Sequence, residues 1–218
     1  MAGLRPVEGV TGAYVIEATG EVIQLNEWKV WAFYDSVQFA SGLVAAGTQA
    51  FLFRDVQNKN LQHNNFQNNA GRLPAHTRLI TNNIGVIVAQ AIGATLVTDS
   101  DFIQLAYGAT LEIKINDQRK IAEGPVYAYP SGYGVSGTTT RSNTGVVTTG
   151  IASAAAAPQL LVAQPISDED SILGQITFYA NTWLIASSGG SSSNQPNFVS
   201  NPVVTCRLEG LVKRPGNL

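Results

Sequence analysis

Apolar and polar side chains alternate without a break through Ala109–Asp117, ATLEIKIND, where Leu111, Ile113 and Ile115 fall on one face and Glu112, Lys114 and Asn116 on the other. A period of two is the signature of a half-buried β-strand, because successive side chains leave opposite faces of a pleated backbone. Asn116 and Asp117 then supply a turn, and Gln118–Val126 reads as the partner strand. The same alternation recurs near the C-terminus, with Val204, Cys206 and Leu208 set against Thr205, Arg207 and Glu209 within the strand expected over Val203–Lys213. His76–Ile92 differs: Ile84, Val86 and Val88 share one face while Ile87 and Ala89 occupy the other, which predicts a central strand covered on both sides.

Shorter β-prone runs cover Tyr14–Leu25 and Trp28–Tyr34, parted by a turn at Asn26 and Glu27, and Gln49–Val56, Leu160–Ala163 and Ile172–Ile185 add further strands. The amide-rich segment Gln57–Asn69 reads as a loop, since Asn and Gln side chains compete with the ladder for backbone hydrogen bonds. Thr98, Asp99, Ser100 and Asp101 cap one short expected helix through Phe102, Ile103, Leu105 and Ala106, stopped at Gly108. The Gly, Ser, Thr and Ala tract Pro130–Ala157 and the segment Ser187–Ser200 are expected as long exposed loops, and the residues before Gly12 as an arm that orders on assembly. No internal repeat is visible, and 218 residues fit one domain over 1–218. Many strands, one minor helix and long loops predict an all-β sandwich or barrel and exclude a βαβ architecture.

Composition narrows the function. Only 13% of residues are charged against 44% hydrophobic, about half the charged share typical of soluble domains. A neutral polar surface suits contacts between copies, because amides and hydroxyls are cheaper to bury than unpaired charges. The net charge is -2, the 13 Lys and Arg are scattered, and Arg5 is the sole cation of the first fourteen residues, so direct nucleic-acid binding is not expected. The single Cys206 reads as a small buried hydrophobe. The opening MAGLRPVEGV lacks a signal-peptide core and no run approaches 18 apolar residues, so neither secretion by a cleaved leader nor a membrane span is expected.

Candidate chemistry is sparse. Gly132, Gly134 and Gly137 spell GxGxxG, but TTTRSNTG follows instead of a helix, which favours a bend over a phosphate cradle. His63 and His76 stand thirteen apart with the one cysteine distant, which assembles no zinc set, and no nucleophile elbow of the GxSxG kind occurs. Asp99 and Asp101 suit a helix start. Asp168, Glu169 and Asp170 read as a solvated turn, with calcium ligation left open. Trp28, Trp31 and Trp183 with seven tyrosines serve either as core and interface anchors or as a sugar-stacking platform. No catalytic, metal-ligating or cofactor-binding residue is assigned, and an enzyme is not expected.

Three stretches in order carry a family resemblance. FLFRDV, an Asn-rich loop and AGRLPAHTRLITNNIGVIVAQ; then TDSDFIQLAYGATLEIKIND; then RKIAEGPVYAYPSGYG together resemble the jelly-roll major capsid proteins of tailless icosahedral bacteriophages, a group that includes internal-membrane viruses. The likeness covers Phe51–Gly134. It implies a jelly-roll β-sandwich, a virion location, self-assembly into an icosahedral shell through trimers or pseudo-hexamers, possible help from a second capsid protein, and no catalytic residues. Many such relatives carry two rolls, whereas the strands after Leu73 suffice for a single roll here. The alternative is a carbohydrate-binding or host-recognition β-sandwich of a viral spike or fibre.

Overall fold

A computed structural model describes residues 4–17, 19–39, 42–54, 59–61, 63–66, 70–90, 107–130, 159–179, 183–185 and 202–213. In chain order the strands are β1 (Leu4–Pro6), β2 (Ala13–Ile16), β3 (Val22–Gln24), β4 (Trp28–Gln38), β5 (Gly42–Val44), β6 (Gln49–Leu52), β7 (Arg78–Gln90), β8 (Ala109–Ile115), β9 (Arg119–Pro125), β10 (Gln159–Ile166), β11 (Ile172–Phe178), β12 (Trp183–Ile185) and β13 (Pro202–Lys213). The protein is all-β and its paired strands are antiparallel. Two short 3-10 turns, Leu25–Glu27 and Val126–Ala128, punctuate the strands.

Two four-stranded sheets dominate, ordered β10-β7-β13-β4 and β6-β11-β8-β9. Their inner faces share one core, to which Phe33, Ile84 and Leu208 come from the first sheet and Leu52, Ile113 and Ile176 from the second. Burying each such side chain contributes about 1.5–3 kcal/mol, so this shared core is the main source of cohesion. The alternation expected in β8 is present: Leu111, Ile113 and Ile115 are buried. Glu112 and Lys114 face outward, where Glu112 pairs with Lys114 at 2.5 Å and Lys120 at 2.6 Å. Asn116 and Asp117 close the β8–β9 hairpin at φ of 55° and 56°, the left-handed pair that a tight turn between twisted strands requires.

A smaller sheet of β1, β2 and β3 covers one end of the outer face of the β7–β13 layer. Ile16 and Ile23 pack there with Trp28, Ile80, Ala163 and Leu211 in a second core, joined at its edge by Leu4. The segment expected as an arm is therefore strand from Leu4 to Pro6, paired Leu4 to Ile16, because Leu4 gains apolar neighbours there. The turn expected at Asn26 and Glu27 is present as the 3-10 turn Leu25–Glu27 between the successive strands β3 and β4, while Tyr14–Leu25 itself folds back as a hairpin of β2 and β3 with Gly20 at φ 72° in its turn.

β7 is covered twice, as expected, at Leu79 and Ile80, which enter opposite cores. The pattern then shifts by one residue. A bulge opposite Glu209 and Gly210 turns both Thr81 and Ile84 inward, and Ile84 and Val86 continue the core face. Ile87 on the other face is only partly buried.

β4 runs past its expected end at Tyr34 to Gln38, because the polar Asp35 finds partners inside the fold. The two large sheets also draw on β4 and β6, which precede Leu73, so strands after Leu73 do not complete the fold alone. β10 extends to Ile166, and the run Ile172–Ile185 divides into β11 and β12. The expected helix lies almost wholly in 91–106, outside the described residues, as do nearly all of the expected loops 130–157 and 187–200.

Candidate functional site

Four polar or aromatic clusters stand out among the described residues. The first is a buried knot at the β4 edge. Asp35, fully buried, accepts hydrogen bonds from the Phe53 N–H at 2.6 Å, from Lys59 Nζ at 2.8 and 2.9 Å, and from Asn64 Nδ2 at 2.8 Å. Phe53 reaches this position with a left-handed φ of 66°, a conformation unusual for a bulky residue, while its ring fills the core. Asn64 Oδ1 in turn accepts from the Phe66 N–H at 2.6 Å. Asn65 bonds both ways to β4, accepting from the Tyr34 N–H at 2.8 Å and donating to the Ala32 carbonyl at 2.8 Å. The amide side chains that predicted a loop are thus the groups that bind it to an edge strand, which would otherwise offer unpaired backbone groups to another chain.

The second cluster joins the β8–β9 turn to the β10–β11 turn. Asp170 accepts from Asn116 Nδ2 at 2.6 Å, the Ser167 N–H at 2.7 Å and the Ser167 hydroxyl at 2.9 Å. Burial raises the Asp170 pKa, but these hydrogen bonds and the nearby Arg119 charge outweigh it and hold the carboxyl below its ordinary value. Asp168 accepts from the His76 N–H at 2.5 Å, with His76 at φ 58°. Of the acidic turn singled out for calcium, Asp168 and Asp170 are thus bound by amides. Among the described residues, no group of three or more His, Cys, Asp and Glu is placed to hold a metal ion. An open cleft of about 450 Å³ lies beside this cluster, lined by Thr19, Arg78, Gln118, Arg119 and Asp170 among others. Its arginines are engaged: Arg78 forms a two-pronged pair with Glu21 at 2.6 Å, and Arg119 donates to the Pro165 carbonyl at 3.0 Å.

The third cluster sits on the outer face of the β7–β13 layer. Glu209 pairs with Arg207 at 2.9 Å and accepts from Asn83 Nδ2 at 3.0 Å. Burial raises the Glu209 pKa more than Arg207 and Asn83 lower it, so its carboxyl titrates above the usual range.

The fourth is aromatic. Tyr107, Tyr127 and Tyr179 are 69%, 56% and 71% exposed, and the Tyr107 and Tyr127 rings lie 5.0 Å apart at 32°. Tyr179 joins them through its N–H, which donates to the Gly108 carbonyl at 3.2 Å. These tyrosines cap one end of the β6-β11-β8-β9 sheet.

The remaining candidates are dispersed. His63 bonds Asn60 through Nδ1 at 2.8 Å, whereas His76 bonds Asp168 through its backbone N–H. Trp28 is buried beneath the small sheet, Trp31 is half-exposed, and Trp183 lies on β12. Cys206 is fully buried, and burial pushes its thiol far above the ordinary value. Gly132, Gly134, Gly137, Asp99 and Asp101 lie outside the described residues. The Asp35 knot and the Tyr107–Tyr127 pair were not foreseen; the nearest signal for the knot was the density of amides in Gln57–Asn69.

Comparison of the chain with protein-family models, with curated proteins and with solved structures finds no match.

Proposed function

We propose that this chain is a structural subunit of a viral shell, built as a single jelly roll and assembling with copies of itself. The reading rests on strand order above all. Eight strands, taken along the chain as β4, β6, β7, β8, β9, β10, β11 and β13, distribute between two sheets so that first lies beside last, and third beside last and sixth. The second sheet sets second beside seventh, seventh beside fourth and fourth beside fifth. This order supports the jelly-roll reading, in which a long antiparallel hairpin is wrapped so that two Greek keys interlock. The stretch AGRLPAHTRLITNNIGVIVAQ, which is similar to the long first jelly-roll strand of the capsid family and the turn before it, corresponds in this scheme to the third strand, β7.

A fold does not by itself assign a function, and the surface supplies the second argument. Charge is low at 13%, large apolar side chains such as Val30, Tyr107 and Tyr179 are exposed, and acid-base groups are tied into structural hydrogen bonds. Repetition by symmetry turns modest contacts of this kind into a stable closed shell. Trimers or pseudo-hexamers are the natural building units, with a second capsid protein as a possible partner and no direct contact to nucleic acid.

Negative-stain electron microscopy with light scattering, across protein concentration and salt, tests the proposal. Closed particles, or trimers and hexamers that tile, are expected; a monomer under every condition, with or without a candidate second capsid protein, overturns it.

The exposed tyrosines favour one other reading, a glycan-recognition module, because flat aromatic faces stack on sugar rings. Calorimetric titration with oligosaccharides separates the two: binding lost in Tyr107→Ala and Tyr127→Ala, by a chain that stays monomeric, supports recognition over assembly.

A further inference from the structure

We propose that Lys59 and Asn64 become joined by a side-chain amide bond, formed autocatalytically with Asp35 as the proton carrier. The three groups are already gathered. Asp35 Oδ1 accepts from Lys59 Nζ at 2.8 Å and from Asn64 Nδ2 at 2.8 Å, so amine and carboxamide share one acceptor atom and are separated by no more than two hydrogen-bond lengths. The Asn60 carbonyl accepts from the N–H groups of His63 and Asn64, both at 2.9 Å, folding the short segment between Lys59 and Asn64 into a turn.

The surroundings suit the reaction. The Phe66 N–H points at Asn64 Oδ1 from 2.6 Å, where it polarises the carbonyl and stabilises negative charge that gathers on that oxygen during attack. Phe33, Phe53 and Phe66 are fully buried and pack together, with ring centroids 5.4 and 5.1 Å apart, beside the knot. Asp35 has no exposure to water. A carboxylate shielded in this way depends on the donors around it, and the Lys59 ammonium, whose side chain is 20% exposed, is held against it at hydrogen-bond distance, so that a proton can pass between them directly.

The step balances without any outside reagent. Asp35 takes a proton from the Lys59 ammonium, and the amine lone pair attacks Cγ of Asn64. A Cγ–Nζ bond forms and the Cγ–Nδ2 bond breaks. Two protons leave Nζ by way of Asp35 and end on Nδ2, which departs as ammonium, and Asp35 returns to carboxylate. Escape of ammonia makes the product permanent. The bond would close the loop on itself between Lys59 and Asn64, fixing covalently the shape in which its hydrogen bonds reach the β4 edge. The proposal stands apart from any role in a shell.

Intact mass spectrometry of the purified, folded full chain tests it, followed by tryptic mapping of 55–72. The expected mass is lower than that of the sequence by one ammonia, and trypsin fails to cleave after Lys59. Lys59→Arg, which keeps a cation beside Asp35 and so preserves the fold, is expected to retain the full mass, and Asp35→Asn to abolish or greatly slow the loss. A wild-type chain that is folded and keeps its full mass after prolonged incubation overturns the proposal. So does an ammonia loss that persists in Lys59→Arg with normal cleavage in wild type after Lys59, which marks a succinimide, or the loss of one water instead, which places the amide on Asp35.

Discussion

A side chain at Gly210 would place its Cβ 1.9 Å from the carbonyl oxygen of Ile80, and 2.8 Å from the carbonyl carbon. The contact falls at the bulge where β7 shifts register against β13, and that shift is what directs Leu79 and Thr81, then Ile84 and Val86, toward one core. Gly210→Ala must push two central strands apart or abolish the bulge. A loss of at least about 1–3 kcal/mol is expected, at the level of overpacking a core, and a urea titration followed by tryptophan fluorescence measures it.

Asp35→Ala removes the acceptor shared by Lys59, Asn64 and the Phe53 N–H. Leaving a cation and two donors without it inside the fold costs about 3–5 kcal/mol. Proteolysis at low protease concentration should also cut within 59–66 before any other described segment, because the loop loses its principal tie to β4.

Asp170 and Glu209 give opposite pH signatures. Asp170 titrates below its unfolded value, so its contribution is present above the unfolded pKa and fades as pH falls through the folded one. Asp170→Asn is therefore expected to destabilise by about 1–3 kcal/mol at neutral pH, with the gap to wild type closing under acid conditions. Thermal melts at a series of pH values measure that gap.

Glu209 titrates above its unfolded value. Its contribution is fully present below the unfolded pKa and is lost as pH rises through the folded one. Glu209→Gln keeps the side-chain volume and an acceptor for Asn83, and should remove the fall in stability that wild type shows as pH rises from the unfolded to the folded pKa. A variant whose stability falls with pH across that window as steeply as wild type, or more steeply, would contradict the assignment.

The parts of the fold legible in the sequence were those set by near neighbours. Leu111, Ile113 and Ile115 declare the inner face of β8 by period alone, and Asn116–Asp117 declares the turn that follows. Asp35 was not legible, because it interrupts an apolar run and so resembles a strand end. The partners that let β4 continue lie 18 to 29 residues further on. The second core was hidden for the same reason: Ile16, Ile80, Ala163 and Leu211 meet through pairings that no local pattern encodes. Of the candidate sites, the acidic turn was legible as a turn, while its tie to Asn116 was not.

Cys206, the chain's single cysteine, lies on β13 between β7 and β4 with no solvent exposure. Its sulfur meets a thiol reagent in solution only when that sheet opens, and the raised pKa keeps it unreactive until then. The molecule thus carries a clock for its own breathing: the rate of thiol labelling reports how often the innermost layer parts. If the chain assembles as proposed, the same count taken on free subunits and on the particle gives the rigidity that neighbours confer, without a probe being attached at the contact.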